Sequence, residues 1–238
     1  TITFPWTFEG VVVIAQWAED QSVSRYFPGD GTFVDVPLSQ LKAGAASIAS
    51  LAITYLELGV EHIVLGIDHL LFVLGLLLLL SNFWTIIKTI TAFTIAHSIT
   101  LAFAVLGVFP VPNSPIEVLI ALSIVFLARE VIMGHRGERT LVHSKPWIVA
   151  FIFGLFHGFG FAGALGELGL SDSDIPLALL FFNLGVELGQ VGFIAFLIAL
   201  NTVLVRLSQN LVPSIHRGLA YGLGCIAMVW FIERLPAL

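Results

Sequence analysis

The chain has 238 residues, of which 58% are hydrophobic and 11% charged, with a formal net charge of -6 and a mean hydropathy of +1.00. Soluble domains carry roughly 45–50% apolar and about 25% charged residues, so this composition excludes an ordinary soluble domain and describes an integral membrane protein. The acidic balance, with no basic cluster or stacking platform, excludes nucleic acid as a partner, and the single cysteine, Cys225, excludes an internal disulfide and a thiolate metal cage.

Residues 1–37 differ in character from the rest of the chain. Val11-Val12-Val13-Ile14 reads as a short strand, Phe27-Pro28-Gly29-Asp30-Gly31 as a turn, and Thr32-Phe33-Val34-Asp35-Val36 as a second strand. A lone two-stranded hairpin is marginal in water, so this extramembrane segment is either the end of a larger outer domain or leans on the membrane core. Residue 1 is Thr, and no basic-then-apolar leader comes after it, which fits a processed or truncated product.

From Leu38 to about Leu58, apolar residues at Leu38, Leu41, Ala45, Ile48, Ala52, Tyr55 and Leu56 recur at helical spacing and predict an interfacial helix. One straight helix over 43–81 would run about 57 Å, nearly twice the hydrocarbon thickness, so a bend is expected near Gly59. Six transmembrane helices are predicted after it, at about 61–81, 86–108, 115–133, 147–167, 177–200 and 216–235, separated by segments such as Pro110–Pro115 and Ser171–Asp174. The alternating pattern of a membrane barrel is absent. The expected fold is thus an all-α polytopic bundle over residues 38–238. With the N-terminus outside, Lys88, Arg129, Arg136, Arg139, Lys145, Arg206 and Arg217 fall on the cytoplasmic side, leaving Arg25, Lys42 and Arg234 outside. That bias predicts a cell membrane, bacterial inner by type, with both termini periplasmic or extracellular.

Polar groups within these apolar runs mark the candidate site, because a charge near the bilayer centre costs about 2.5–3.5 kcal/mol on insertion scales. The first span carries Glu61, His62, Asp68 and His69 around Gly66. His62 and His69 are seven residues apart, on nearly one face but separated by about 10 Å of rise. Metal–nitrogen bonds of roughly 2.0–2.1 Å cannot bridge that gap from an unbroken helix. Either Gly66 helps unwind the helix so that the groups converge, or the two histidines are successive stations of a path. Asp68 is a candidate ligand or a partner that fixes the His69 tautomer. His97 lies in the second span and His157 among glycines in the fourth, where glycine permits close helix approach or a local break. Asn183, Glu187 and Gln190 form one stripe in the fifth. Imidazoles and carboxylates from four spans suit a divalent transition metal: Ni, Co, Zn, Cu or Fe. The proposed ligands are His62, Asp68, His69, His97, His157 and Glu187, with Glu61, Asn183 and Gln190 in supporting places. Because neutral imidazole is the ligand, uptake is expected to weaken below about pH 6.5.

His62-x5-Asp68-His69 after Gly59-Val60-Glu61, Ala96-His97-Ser98-Ile99-Thr100-Leu101, Gly154 to Ala162 around His157, and Phe182 to Gln190 also carry a likeness. Across most of residues 55–200 they resemble the hydrogenase/urease accessory permease family (HupE/UreJ). The resemblance implies a secondary permease for nickel or cobalt, with His62, Asp68, His69 and His157 at positions that bind or pass the metal. The first carboxylate after His157 is Glu167, ten residues on, a departure from the family pattern, and the N-terminal extension and the Asn183/Glu187/Gln190 stripe fit a divergent branch. No Ser/His/Asp hydrolase pattern or phosphate loop supports a conventional enzyme. A permease is therefore the leading expectation. An intramembrane metal-centre protein and an accessory subunit with protein partners in a larger membrane complex are the alternatives.

Overall fold

The structure, a computed structural model, describes residues 2–16, 22–34, 36, 48–108, 113–160 and 175–235. Strands β1 (Ile2–Gln16) and β2 (Ser22–Val34) pair antiparallel, with Val11 opposite Phe27 and Gln16 opposite Ser22. The expected turn at Phe27–Gly31 is corrected, because this segment lies inside β2. Between the pairs Phe8–Gly31 and Gly10–Pro28 the register slips, so β2 carries an extra residue there. A bulge accommodates glycine and tolerates the missing N–H of proline, which is why turn-type residues sit within a strand. Phe27 and Val34 are buried together with Val11, Val13 and Val36 around them.

Helices α1 (Ile48–Leu65) and α2 (Ile67–Leu79) are bent by 71° at Gly66. The separate interfacial helix with a bend near Gly59 is therefore also corrected. Residues 48–58 are the opening turns of α1, which runs unbroken through Gly59, while residues 38–47 lie outside the described residues. At Gly59 the missing side chain is used for packing. A Cβ there would sit 2.9 Å from Val186 N and 3.0 Å from Gly185 Cα, so two backbones meet where a larger residue would hold them apart.

Five further helices come next: α3 (Phe83–Val105), α4 (Asn113–His135), the one-turn α5 (Leu141–Ser144), α6 (Pro146–Gly160) and α7 (Ile175–Leu207). The last is α8 (Val212–Arg234). Local chemistry sets several ends. Asn82 Oδ1 accepts from Thr85 N at 3.0 Å to cap α3. Proline opens α6 and lies in the first turn of α8, where its absent N–H has no intrahelical partner to lose. Gly107 (φ +67°) and Gly137 (φ +82°) take the left-handed conformation just beyond α3 and α4.

Among the described residues, helices α3, α7 and α8 are long and apolar enough to cross a membrane, and the bent α1/α2 pair has the length and composition of either a broken span, which would be a fourth, or a re-entrant loop. Among the described residues this gives up to four such elements against the six expected. Helix α6 shows 15 residues, short of the roughly 17–25 a crossing needs, and α4 packs against α2, α6 and α8.

Helix α3 lies along α6, α1 along α7, and α4 along α8. Buried Phe72, Leu76, Ile90, Phe93, Leu127 and Val131 join α2, α3 and α4 in one core, and Tyr55, Ile63, Phe182 and Val186 join α1 to α7. A Cβ at Gly154 would lie 3.0 Å from Ala96 Cβ, and one at Gly158 3.0 Å from His97 C. The glycines flanking His157 thus serve close approach to α3, and α6 is unbroken through them.

Two contacts fix relative direction. Arg234 Nε lies 3.5 Å from Glu117 Oε2, setting the end of α8 beside the start of α4. His216 Nε2 lies 3.1 Å from Asn201 Oδ1, setting the start of α8 beside the later part of α7.

Candidate metal site

The break at Gly66 builds the site. His62 is in the last turn of α1 and Asp68-His69 in the first turn of α2. Gly66 N donates to His62 O at 2.9 Å, and Leu70 N donates to Gly66 O at 3.2 Å, so hydrogen bonding continues across the kink. A Cβ on residue 66 would meet His62 O at 2.6 Å and His69 Nδ1 at 2.9 Å. The position requires glycine. The bend brings the His62 and His69 rings to a centroid separation of 4.7 Å, and of the two arrangements the spacing allowed, the chain adopts the broken helix.

Two other helices complete the cluster. His97 of α3 stands 5.8 Å from both His62 and His69, ring centre to ring centre, and His157 of α6 stands 4.9 Å from His69. Ligand atoms of His62, His69 and His97 all lie within 4.8 Å of one another, as do those of Asp68, His69 and His157. His69 belongs to both groups. His69, His97 and His157 are at most 3% exposed, whereas Asp68 keeps a quarter of its side chain accessible.

The hydrogen bonds assign the tautomers. Asp68 Oδ1 lies 3.1 Å from His69 Nδ1, and a carboxylate only accepts, so Nδ1 carries the proton. Asn183 Nδ2 donates to Leu179 O at 2.8 Å, which turns its Oδ1 toward His97 Nδ1 at 3.4 Å. The Ser123 hydroxyl donates to Ile120 O at 2.6 Å and therefore accepts from His157 Nε2 at 3.2 Å. Each of the three rings thus has its N–H engaged, and its other nitrogen bears a lone pair. Those nitrogens, His69 Nε2, His97 Nε2 and His157 Nδ1, are buried and have no hydrogen-bond partner. A buried polar atom left unsatisfied costs about 1–3 kcal/mol. These acceptors are of the kind a transition cation takes, with the opposite ring nitrogens oriented by an acid, an amide and a hydroxyl, and they fall in the two ligand groups that share His69.

The remaining predicted residues separate from this cluster. Glu187 is in neither ligand group; it is half-buried and accepts from Thr91 Oγ1 at 2.6 Å. Gln190 accepts from Thr94 Oγ1 at 3.0 Å. Asn183 orients His97, and Glu61 is exposed beside His62. Glu167 lies outside the described residues. Sequence reasoning missed Ser123, a lone hydroxyl in an apolar run, because such serines commonly bond their own helix carbonyls and only the fold shows His157 opposite. It also missed Glu130, a buried carboxylate whose Oε2 accepts from Val142 N at 3.0 Å.

The family model described as HupE / UreJ protein matches residues 39–234. The chain belongs to the HupE/UreJ family. That membership points to a metal-related accessory or permease function and agrees with the apolar helices in describing an integral membrane protein. No curated protein and no solved structure matches the chain.

Proposed function

We propose that this HupE/UreJ protein is a membrane permease for a divalent transition-metal ion, nickel or cobalt by family, which it carries through the histidine cluster as a transported substrate. The reading also takes the bundle as six crossings, with both termini on the outer face. One observation carries it: three buried imidazoles from three separate helices each hold a protonated nitrogen in a hydrogen bond and leave an unpartnered nitrogen, within two ligand groups that share His69. Imidazole nitrogen suits nickel, cobalt, zinc and copper, whereas magnesium and calcium prefer oxygen. His62 and the second carboxylate oxygen of Asp68 would complete the shell. Family membership supports metal handling, and the apolar bundle supports passage across a bilayer.

The test uses the full chain reconstituted in sealed phosphatidylethanolamine/phosphatidylglycerol vesicles. Radiolabelled nickel or cobalt should accumulate in a protein-dependent way and be lost in His69→Ala and His157→Ala. Stoichiometric metal that survives purification without any flux would instead indicate a resident metal centre.

A further inference from the structure

A second set of polar residues runs away from the histidine cluster along the seam between α3 and α7. It comprises His97–Asn183, Thr91–Glu187 at 2.6 Å and Thr94–Gln190 at 3.0 Å, with Glu187 one turn beyond Asn183 on α7 and Gln190 nearly one turn further. Each contact joins the two helices, and all lie within spans whose other faces are apolar, with Leu184 and Leu188 exposed on the outer face of α7. The position of Glu187 is unusual for a structural carboxylate. Among the described residues it has no cationic partner within ion-pair distance, and Thr91 is its single hydrogen-bond donor. Intramembrane carboxylates are costly and mark ion pathways.

The seam also has a direction. Helices α3 and α7 run antiparallel, since His97 pairs with Asn183 and the earlier Thr91 with the later Glu187. Moving from His97 to Thr91 covers about 9 Å toward the start of α3. That is the end of the bundle where α7 finishes and α8 starts, carrying Lys88, Arg206 and Arg217.

We infer that Glu187 is a second station for the divalent cation, separate from the histidine cluster and reached from it past Asn183 and Thr94. The inference rests on the permease reading, which it deepens by giving the ion a way out. A cluster of imidazoles holds a first-row cation firmly; a single carboxylate with a hydroxyl and an amide nearby binds it more weakly. Conduction needs such an unequal pair, because an ion held at one tight site leaves slowly unless a weaker site lies next on its path. Side-chain oxygens of Asn183 and Thr94 supply neutral contacts between the two, and Gln190 stands one turn beyond Glu187 on α7, so the ion is never stripped of partners within the apolar bundle.

The experiment compares wild type, Glu187→Gln, Glu187→Asp and Thr91→Val in the full chain, using nickel alone as probe. Equilibrium binding should give a tight and a weak equivalent in wild type. Glu187→Gln should abolish the weak equivalent, leave the tight affinity within about twofold, and lower flux at least about tenfold. Glu187→Asp should restore part of both. Two outcomes overturn the inference: unchanged flux and weak binding in Glu187→Gln, or loss of the tight equivalent in a variant that elutes as wild type, which would make Glu187 a ligand of the first site. If wild type binds both equivalents but carries no ion, the permease reading fails while the second station stands. If wild type binds a single equivalent that Glu187→Gln leaves in place, the station fails and the permease reading is untouched.

Discussion

Gly66→Ala tests the geometry on which the site depends. The added Cβ would fall 2.6 Å from His62 O, 2.9 Å from His69 Nδ1 and 3.3 Å from Asp68 Oδ1, against an ordinary contact of 3.4 Å or more. Relief requires the His69 ring to move by about half an ångström and the His62 carbonyl by about 0.8 Å. The carbonyl is held by the 2.9 Å hydrogen bond from Gly66 N, so its displacement strains the kink itself while the ring is pushed out of place. Metal–ligand distances tolerate only about 0.2 Å. Recovering the binding geometry then means paying the overpacking strain of about 1–3 kcal/mol, which corresponds to a roughly 5–150-fold weaker nickel affinity. Alanine also favours helix over glycine by about 1 kcal/mol, which would tend to straighten the kink. The assay is calorimetric titration of nickel into the purified chain, with Gly222→Ala as the control, because a Cβ there meets nothing within 4 Å. The expected pattern is folded protein with weakened binding in Gly66→Ala and unchanged binding in Gly222→Ala. Wild-type affinity in a folded Gly66→Ala chain would refute the reasoning.

Ser123→Ala removes the acceptor that holds the His157 tautomer, and nickel affinity measured by competition with a chelator should fall about 10–100-fold, as for other residues that orient a ligand. Asn183→Leu should act on His97 in the same way, while Asn183→Asp, which keeps an acceptor, should retain most of the affinity. Gly154→Leu forces a side chain into the α3 backbone and should lower the thermal unfolding temperature and the folded yield in detergent, whereas Gly192→Leu, placed in open space, should not. Glu130→Ala strands the buried Val142 N–H, costing about 1–3 kcal/mol; hydrogen exchange should rise over 136–145, and Glu130→Gln should largely rescue it.

Much of the site was legible in the sequence because lipid makes ionisable residues expensive. His62, Asp68, His69, His97 and His157 stand out against their apolar neighbours in the sequence alone, and four histidines do converge. What the linear pattern could not decide was which glycine bends and which packs. Gly59 and Gly66 look alike in sequence, yet the first meets the backbone of α7 and the second leaves room for its own flanking histidines, which a side chain there would strike. Partners were equally hidden. Ser123 is 34 residues from His157 and Asn183 is 86 from His97, so no local spacing announces either contact. The stripe of Asn183, Glu187 and Gln190 reads as one unit at helical period, but the residues point to different partners on α3. In the hairpin, proline and glycine read as turn formers, and the pairing of β1 with β2 makes them a bulge.

The most direct test of the histidine cluster is X-ray absorption at the nickel edge on the full chain loaded with one equivalent of nickel. Three or more imidazole rings should appear around the metal, with one ring lost in each of His69→Ala, His97→Ala and His157→Ala. An all-oxygen shell, or an imidazole count that none of these substitutions changes, would contradict the assignment.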